Sequence, residues 1–154
     1  MINISEIKIA NYRSFKDKGN KISKMNNINV LVGKNNVGKT NVLRAIYLFF
    51  YPDNFNALID RNMIKQLTSG ASKNPKISIT FIDDEIIPDN KKHYQIICDL
   101  NQTITKRYVV KNCDNDVKVK LKNSSEIKKY LEKHIKCVYL GTTDSDIEEQ
   151  TEAI

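Results

Sequence analysis

Two segments near the start of the chain have the pattern of strands. Isoleucine recurs at every second position from 2 to 9, apart from a break in register near Ser5 and Glu6, which predicts an opening strand. The segment 27–32 then rises into an apolar run that meets Gly33. A short continuous apolar run is typical of a strand that is buried on both faces. We therefore predict a second strand in the interior of a sheet.

A helix is predicted after this second segment. From Lys39 to about Tyr51, apolar side chains cover most of the helical circumference. Pro52 ends the helix, because proline disfavours helical backbone in the residue before it. A helix that is apolar nearly all round is expected in the middle of a fold, since every face then needs cover from water.

The middle of the chain changes to a period of two. Four runs alternate between apolar and polar residues: 77–81, 94–100, 104–110 and 117–121. This alternation is typical of antiparallel strands that have one face in solvent. We therefore predict an antiparallel β-subdomain in this part of the chain.

The last quarter of the chain predicts a helix, a strand and a tail. Ser124 or Ser125 is a suitable N-cap, and apolar residues up to Ile135 recur on one side of the helix that follows. The apolar run 138–140 is compatible with another strand. Residues 141–154 are polar and acidic, so we expect a flexible tail.

The loop between the second strand and the helix matches a phosphate-binding pattern. Residues 33–40 fit G-x-x-x-x-G-K-[ST] in full, and the strand before and the helix after are the context that this pattern requires. Gly33 and Gly38 permit backbone conformations and close approaches that a side chain would block. Backbone N–H groups and the positive end of the helix dipole can then converge on a phosphate. The alternative is a plain glycine turn between strand and helix.

Each polar side chain of the loop has an expected role. Lys39 is expected to reach the β- and γ-phosphates, and the Thr40 hydroxyl to bind Mg²⁺, so these two residues are the catalytic candidates. No N-K-x-D or D-x-x-G motif accompanies the loop, which disfavours GTP and leaves ATP. The loop residues predicted to bind the nucleotide are Gly33, Lys34, Asn35, Asn36, Val37, Gly38, Lys39 and Thr40.

Two segments resemble the N-terminus of SMC/RecF/OLD-type ATPases, in which an NFRSF-like turn precedes a GxNxxGKT/SNxLxAI loop and helix. These segments are Asn11-Tyr12-Arg13-Ser14-Phe15 and the run from Asn29 to Ile46. The resemblance covers about residues 4–50. It implies an ABC-type head, with ATP-dependent dimerisation and hydrolysis coupled to DNA binding, to DNA repair or, in OLD-type nucleases, to phage defence.

The resemblance also implies roles for four residues. Arg13 and Ser14 would contact the base or the phosphate edge of the nucleotide, while Asn35 and Asn41 would support the loop. The alternative for Arg13 and Ser14 is an exposed turn. The implied partners are ATP, DNA, and a second ATPase head or a completing subunit, with a nuclease partner or domain as a further possibility.

We accordingly predict an α/β P-loop NTPase: a partial ABC-type head with a mixed sheet around a Walker A helix and an antiparallel β-subdomain. Residues 1–154 would form its N-terminal lobe. The parts are 1–51 (strand, loop and helix), 76–122 (antiparallel β-subdomain), 123–140 (helix and strand) and 141–154 (acidic tail).

Several elements of a complete ABC-type head are not recognisable in the sequence. A strand that ends in Asp-Glu is imitated before Asp84 and Glu85, but Ser78 and Thr80 give that strand a polar face. Gln150 lies in the acidic tail and is a poor candidate for the Q-loop glutamine. We therefore expect the chain to bind ATP but to be incomplete for hydrolysis alone. The alternatives are a non-catalytic, ATP-dependent interaction module and a compact AAA+-like NTPase that uses Asp84 and Glu85.

Charge and composition narrow the class of protein further. The net charge is +7, and residues 91–136 carry 12 basic and 5 acidic side chains, which suits DNA because neutralised phosphates release counterions. The alternative is a solvated lysine-rich surface. No signal peptide or apolar run of membrane-spanning length is recognisable, so we expect a cytoplasmic protein without a membrane partner.

The spacing of cysteine and histidine does not suggest a metal site. Cys98, Cys113 and Cys137 have no C-x-x-C spacing, and we expect buried or incidental thiols. His93 and His134 are far apart in sequence, and we expect them to be structural or exposed.

Overall fold

The computed structural model describes residues 2–16, 20–34, 38–61, 74–82, 93–100, 107–112 and 121–140. Five strands, three α-helices and one 3₁₀ helix lie within these ranges. In chain order they are β1 (Asn3–Ala10), β2 (Asn20–Ser23), α1 (Lys39–Phe50), the 3₁₀ helix (Pro52–Asn54), α2 (Ala57–Asp60), β3 (Lys76–Ile82), β4 (His93–Asp99), β5 (Tyr108–Asn112) and α3 (Ser124–His134).

The strands form one sheet in the order β2-β1-β3-β4-β5, and every neighbouring pair is antiparallel. The alternation in the sequence is the cause, because the apolar member of each pair of residues points to the same buried face. In β3, Ile77, Ile79 and Phe81 are fully buried. The predictions for 77–81 and 94–100 are thereby confirmed, and β5 confirms the end of 104–110. The run 117–121 lies almost wholly outside the described residues.

The predicted break in the register of β1 is confirmed as well. In the ladder with β3, Ile4 pairs with Phe81 and Glu6 pairs with Thr80, so Ser5 is an extra residue on β1. The Ser5 hydroxyl donates a hydrogen bond to the Thr80 carbonyl oxygen at 3.3 Å. The irregularity lets isoleucines on both sides of Ser5 contribute to the core, with Ile7 and Ile9 buried and Ile4 packed against them.

Helix α1 covers the buried face of the sheet. Phe49 is fully buried, and its ring centroid lies 6.3 Å from that of Phe81 and 5.7 Å from that of Tyr108. The Tyr108 hydroxyl donates a hydrogen bond to the Phe49 carbonyl oxygen. The helix is less enclosed than predicted, because Leu43 is 47% exposed. The sheet covers one side of the helix, and the segment 137–139 contacts another part of it: the ring centroids of Tyr47 and Tyr139 are 5.7 Å apart, and the Tyr51 hydroxyl donates to the Cys137 carbonyl oxygen at 3.0 Å.

Helix α3 packs beside β5 and begins differently from the prediction. Asn123, not Ser124 or Ser125, is the N-cap, and its side-chain oxygen accepts from the Glu126 N–H at 2.9 Å. Ser124 is instead buried, and its hydroxyl bonds both the N–H and the carbonyl oxygen of Tyr108. The predicted apolar side of the helix is confirmed by Ile127 and Leu131, which are both buried.

Two predicted strands are not formed. Residues 27–32 have no ladder partner among the described residues, and their apolar side chains face solvent, with Val30 78% and Val32 89% exposed. Residues 138–140 likewise lie outside the sheet, with Leu140 78% exposed. An apolar run becomes a buried strand only when neighbours hydrogen-bond to its edges and cover its faces. The described residues form their antiparallel sheet without either run.

The thiols behave as predicted where they are described. Cys98 is buried, Cys137 is half-buried, and both are free. Burial raises the pKa of the Cys98 thiol to about 12 and that of the Cys137 thiol to about 11, so both thiols are protonated at neutral pH. Cys113 lies outside the described residues. None of the described helices has the length and hydropathy that a membrane span requires.

Candidate nucleotide-binding site

The glycine-rich loop leads directly into α1. Gly38 is the N-cap of α1 and has a φ of 97°, a left-handed conformation that a residue with a side chain adopts only with strain. A Cβ atom on Gly38 would lie 3.3 Å from the Ser14 hydroxyl oxygen. The sequence pattern predicted glycine at this position for both reasons, conformation and close approach. Of the predicted loop residues, 35–37 lie outside the described part of the chain.

Lys39 folds back over the start of the loop. Its Nζ atom lies 2.6 Å from the carbonyl oxygen of Gly33 and 2.6 Å from that of Lys34. An ammonium group has three donors, so a third remains after these two bonds. Phosphate oxygens are charged acceptors and form stronger hydrogen bonds with ammonium than neutral carbonyls do. The ammonium is therefore held where an anion in the loop would meet it.

The N-terminus of α1 is suited to an anion. No side chain caps it, and its first turn carries no acidic residue that would compete with a bound anion. The first backbone N–H groups of a helix have no partner within the helix, and the helix dipole makes this end positive. Thr40 is exposed in this first turn. The helix end and Lys39 together offer backbone N–H groups and a positive charge to an anion.

The turn 11–15 lies beside Gly38, at the end of the loop. It reverses the chain after β1 with positive φ angles of 56° at Asn11 and 45° at Arg13. The Asn41 side-chain amide donates a hydrogen bond to the Ser14 hydroxyl at 3.1 Å. The structure therefore brings together Ser14, Asn41 and Gly38, which the resemblance had assigned to one site. Contact of Arg13 and Ser14 with a nucleotide stays a prediction.

Arg13 has a partner that the sequence did not reveal. Its Nε and Nη2 atoms lie 3.0 Å and 2.9 Å from Oδ1 of Asp60, which is 4% exposed. The two residues are 47 positions apart, and Asp60 belongs to no motif that would single it out. Burial and the nearby Asp60 carboxylate also raise the pKa of the neighbouring Tyr12 hydroxyl well above its usual range.

The alternative hypothesis requires an acidic pair, Asp84 and Glu85, in this site. Asp84 and Glu85 lie outside the described residues. The strand before them, β3, runs antiparallel to both of its neighbours. Strands that carry the acidic pair of a P-loop NTPase are expected in a parallel, fully apolar arrangement. Within the described ranges, His, Cys, Asp and Glu form no group of three or more that could hold a metal ion.

Comparison with known protein families identifies the family of this chain. The family model of the AAA ATPase domain matches residues 2–153, which is nearly the whole chain. The chain belongs to the AAA ATPase domain family.

The chain is also similar in sequence to individual curated proteins. The chain is 37% identical over 62 residues to the DNA replication and repair protein RecF of Bacillus cytotoxicus, and 36% identical over 62 residues to that of Bacillus thuringiensis. These matches cover 40% of this chain and 16% of each relative. The chain therefore spans about a sixth of the length of the curated relatives it matches.

A solved structure extends the similarity to the whole fold. It comes from work on ATP-driven dimerization and DNA-stimulated activation of SMC ATPases. The match has a TM-score of 0.53 and an identity of 19%, and it covers 95% of this chain and 89% of the other. The α/β, ABC-type P-loop fold is thereby confirmed. The resemblance to an SMC/RecF-type ATPase segment is likewise confirmed.

Proposed function

We propose that this chain is the ATP- and Mg²⁺-binding lobe of a DNA-associated, SMC/RecF-type ATPase. The observation that carries the proposal is the position of the Lys39 ammonium, 2.6 Å from two carbonyl oxygens at the start of the loop. Beside it stands a helix end without a side-chain cap or an acidic first turn. A structural glycine turn would not need a lysine folded back over the loop.

The residues of the site would have separate roles in binding the triphosphate. The Lys39 ammonium would donate to the β- and γ-phosphates, and the loop N–H groups would surround the β-phosphate. The exposed Thr40 hydroxyl would ligate Mg²⁺, which supplies neutralisation of phosphate charge when bound. Asn41 would hold Ser14 at the edge of the site through their hydrogen bond.

A calorimetric titration tests this proposal. We expect the 154-residue chain to take up ATP with Mg²⁺ at one site per chain, and to take up less when EDTA removes the metal. Titration with Mg²⁺ alone is the control, because the described residues offer no group of acidic or histidine side chains that would bind the ion without nucleotide. No uptake of ATP in the presence of Mg²⁺ would contradict the proposal.

Hydrolysis is proposed to require a second ATPase head or a completing subunit. Lys39 and Thr40 alone would only bind and polarise the phosphates, whereas hydrolysis also needs a group that orients the attacking water. The SMC ATPase relative is described with ATP-driven dimerization, which supports an assembly of two heads around the nucleotide. In the same titration samples we expect negligible release of phosphate, and substantial turnover by the isolated chain would contradict this part.

DNA is the proposed macromolecular partner. The described part of the basic segment 91–136 includes α3, where Lys129 and Lys133 are exposed and Ile127 and Leu131 are buried on the other side. The helix therefore presents its lysines outward, as contact with a phosphate backbone requires. The RecF relatives are named for DNA replication and repair, so we propose repair as the setting, with phage defence as the alternative.

Removing the two exposed lysines of α3 tests the DNA interface. We expect Lys129→Gln with Lys133→Gln to weaken binding to duplex DNA and to reduce the slope of log affinity against log salt by about 2, since each lost phosphate contact lowers it by about 1. Fluorescence anisotropy at several salt concentrations measures both. The matched control is Lys8→Gln with Lys21→Gln, which removes the same charge from β1 and β2, where both lysines pair with Glu6. Equal effects of the two pairs would contradict a defined interface on α3.

A further inference from the structure

Asp60 contacts the turn 11–15 through both its side chain and its backbone. Its Oδ1 atom accepts from Nε and Nη2 of Arg13, at 3.0 Å and 2.9 Å. Its backbone carbonyl oxygen accepts from the Arg13 N–H at 2.9 Å. Its other carboxylate oxygen accepts from the Asn56 N–H at 2.9 Å, which anchors the carboxylate to its own helix α2. Side chain and backbone of Arg13 are thus both fixed by the same residue.

This arrangement orients the guanidinium group without using all of it. A carboxylate that is 4% exposed is stable only when it is paired and hydrogen-bonded, and Asp60 meets both conditions. Arg13 gives one edge, Nε with Nη2, to Asp60, while Nη1 makes no hydrogen bond with any described residue. The Arg13 side chain keeps 22% of its surface exposed. Among the described residues, one edge of the guanidinium group is therefore held by Asp60, and the other has no hydrogen-bond acceptor.

Asp60 is linked to the start of α1 through Arg13 and the next residue along the chain, Ser14. Arg13 has a φ of 45°, a conformation of the left-handed region that the bond from its N–H to Asp60 holds in place. Ser14 follows immediately, accepts from Asn41 of α1, and lies where a Cβ atom on Gly38 would approach to 3.3 Å. A displacement of Arg13 would move Ser14 against the N-terminus of α1.

We propose that Asp60 is a positioning residue for the nucleotide site. It fixes the turn 11–15 against α1 and presents the available edge of the Arg13 guanidinium group to an anionic oxygen of the bound nucleotide. Asp60 itself touches neither nucleotide nor metal in this role. The inference rests on the proposed ATP binding, but it adds a residue that no motif contains and that lies beyond the loop and its helix.

The test compares two aspartates that each pair with an arginine. Asp60→Asn keeps the size of the side chain and removes its charge. Asp53→Asn is the matched control, because Asp53 pairs with Arg107 at 2.6 Å beyond the other end of α1. We expect Asp60→Asn to weaken the affinity for ATP with Mg²⁺ on the order of tenfold, comparable to the loss of an orienting partner behind a metal ligand. We expect Asp53→Asn to leave the affinity unchanged.

A double-mutant cycle separates positioning from a merely structural role. In an Arg13→Gln background, Asp60→Asn should cause no further loss of affinity, because its effect acts through Arg13. A full additional loss in that background, or tighter binding by the single variant, would overturn the proposal. If Asp60→Asn does not fold, Arg13→Lys serves instead, since lysine keeps the charge but cannot give Asp60 a flat edge with two donors. Wild-type affinity of Arg13→Lys would equally overturn it.

The same titrations distinguish failure of this inference from failure of the proposed function. If the wild-type chain and Lys39→Ala both take up no ATP, the proposed function fails. If the wild type binds ATP, Lys39→Ala binds it much more weakly, and Asp60→Asn binds like Asp53→Asn, only the role of Asp60 is refuted.

Discussion

Replacement of Lys39 by alanine is expected to weaken the binding of ATP with Mg²⁺ by on the order of a hundredfold. The reason is the loss of one ammonium group that donates to charged phosphate oxygens, an interaction of about 1.5–3 kcal/mol per hydrogen bond. The loop N–H groups and the dipole of α1 remain, so binding is reduced but need not vanish. The measurement is the dissociation constant from calorimetric titration of the purified chain.

The matched control for this prediction is Lys8→Ala on β1. Lys8 is 48% exposed, and its described partner is Glu6 at 3.3 Å, so its removal changes the net charge equally without touching the loop. Thermal unfolding of both variants should stay close to that of the wild type, because Lys39 only loses hydrogen bonds to two exposed carbonyls. Similar dissociation constants for Lys39→Ala and the wild type would contradict the site.

The largest expected effect on stability is that of Phe49→Ala. Phe49 is fully buried between α1 and the sheet, with its ring against those of Phe50, Phe81 and Tyr108. Removal of a ring from such a position costs about 3–5 kcal/mol of the free energy of unfolding, through lost transfer energy and the cavity that is left. The hydrogen bond from Tyr108 to the Phe49 carbonyl oxygen does not depend on the ring and should persist.

Urea denaturation followed by circular dichroism measures this effect. Leu43→Ala is the control on the same helix, since Leu43 is 47% exposed and its truncation should change the free energy of unfolding by less than about 1 kcal/mol. The comparison separates the contribution of the buried ring from any general effect of alanine on α1. Equal destabilisation by both variants would show that α1 does not pack as described.

The sheet was predictable because its cause is local. A period of two assigns each residue to one face, so β3 and β4 could be read from the alternation of isoleucine and tyrosine with polar residues. The irregularity at Ser5 was visible for the same reason, as a gap in the period. The start of α1 was predictable because the spacing of Gly38, Lys39 and Thr40 is required by the geometry of a phosphate-binding loop.

The errors have causes that lie outside the segments concerned. The apolar pattern of 27–32 indicates a segment that could form a buried strand. It does not indicate whether the sheet offers a neighbouring strand that would pair with this segment and cover it. Asn123 could not be chosen over Ser124 as the cap of α3 without knowing that Ser124 bonds to β5. The pairing of Arg13 with Asp60 joins residues 47 positions apart, and no local rule selects one carboxylate among many. Asp84 and Glu85 remain a prediction of the alternative hypothesis.

The bonds between Ser124 and Tyr108 have a consequence for self-association. Strand β5 is the outermost of the described strands on its side of the sheet, and an outermost strand offers unsatisfied backbone groups to any extended peptide that approaches it. The Ser124 hydroxyl occupies both backbone groups of Tyr108, and α3 lies alongside. An incoming chain would have to displace this hydroxyl and its helix before it could extend the ladder there. The buried Ser124 thereby protects the edge of β5 at Tyr108 against the addition of another strand.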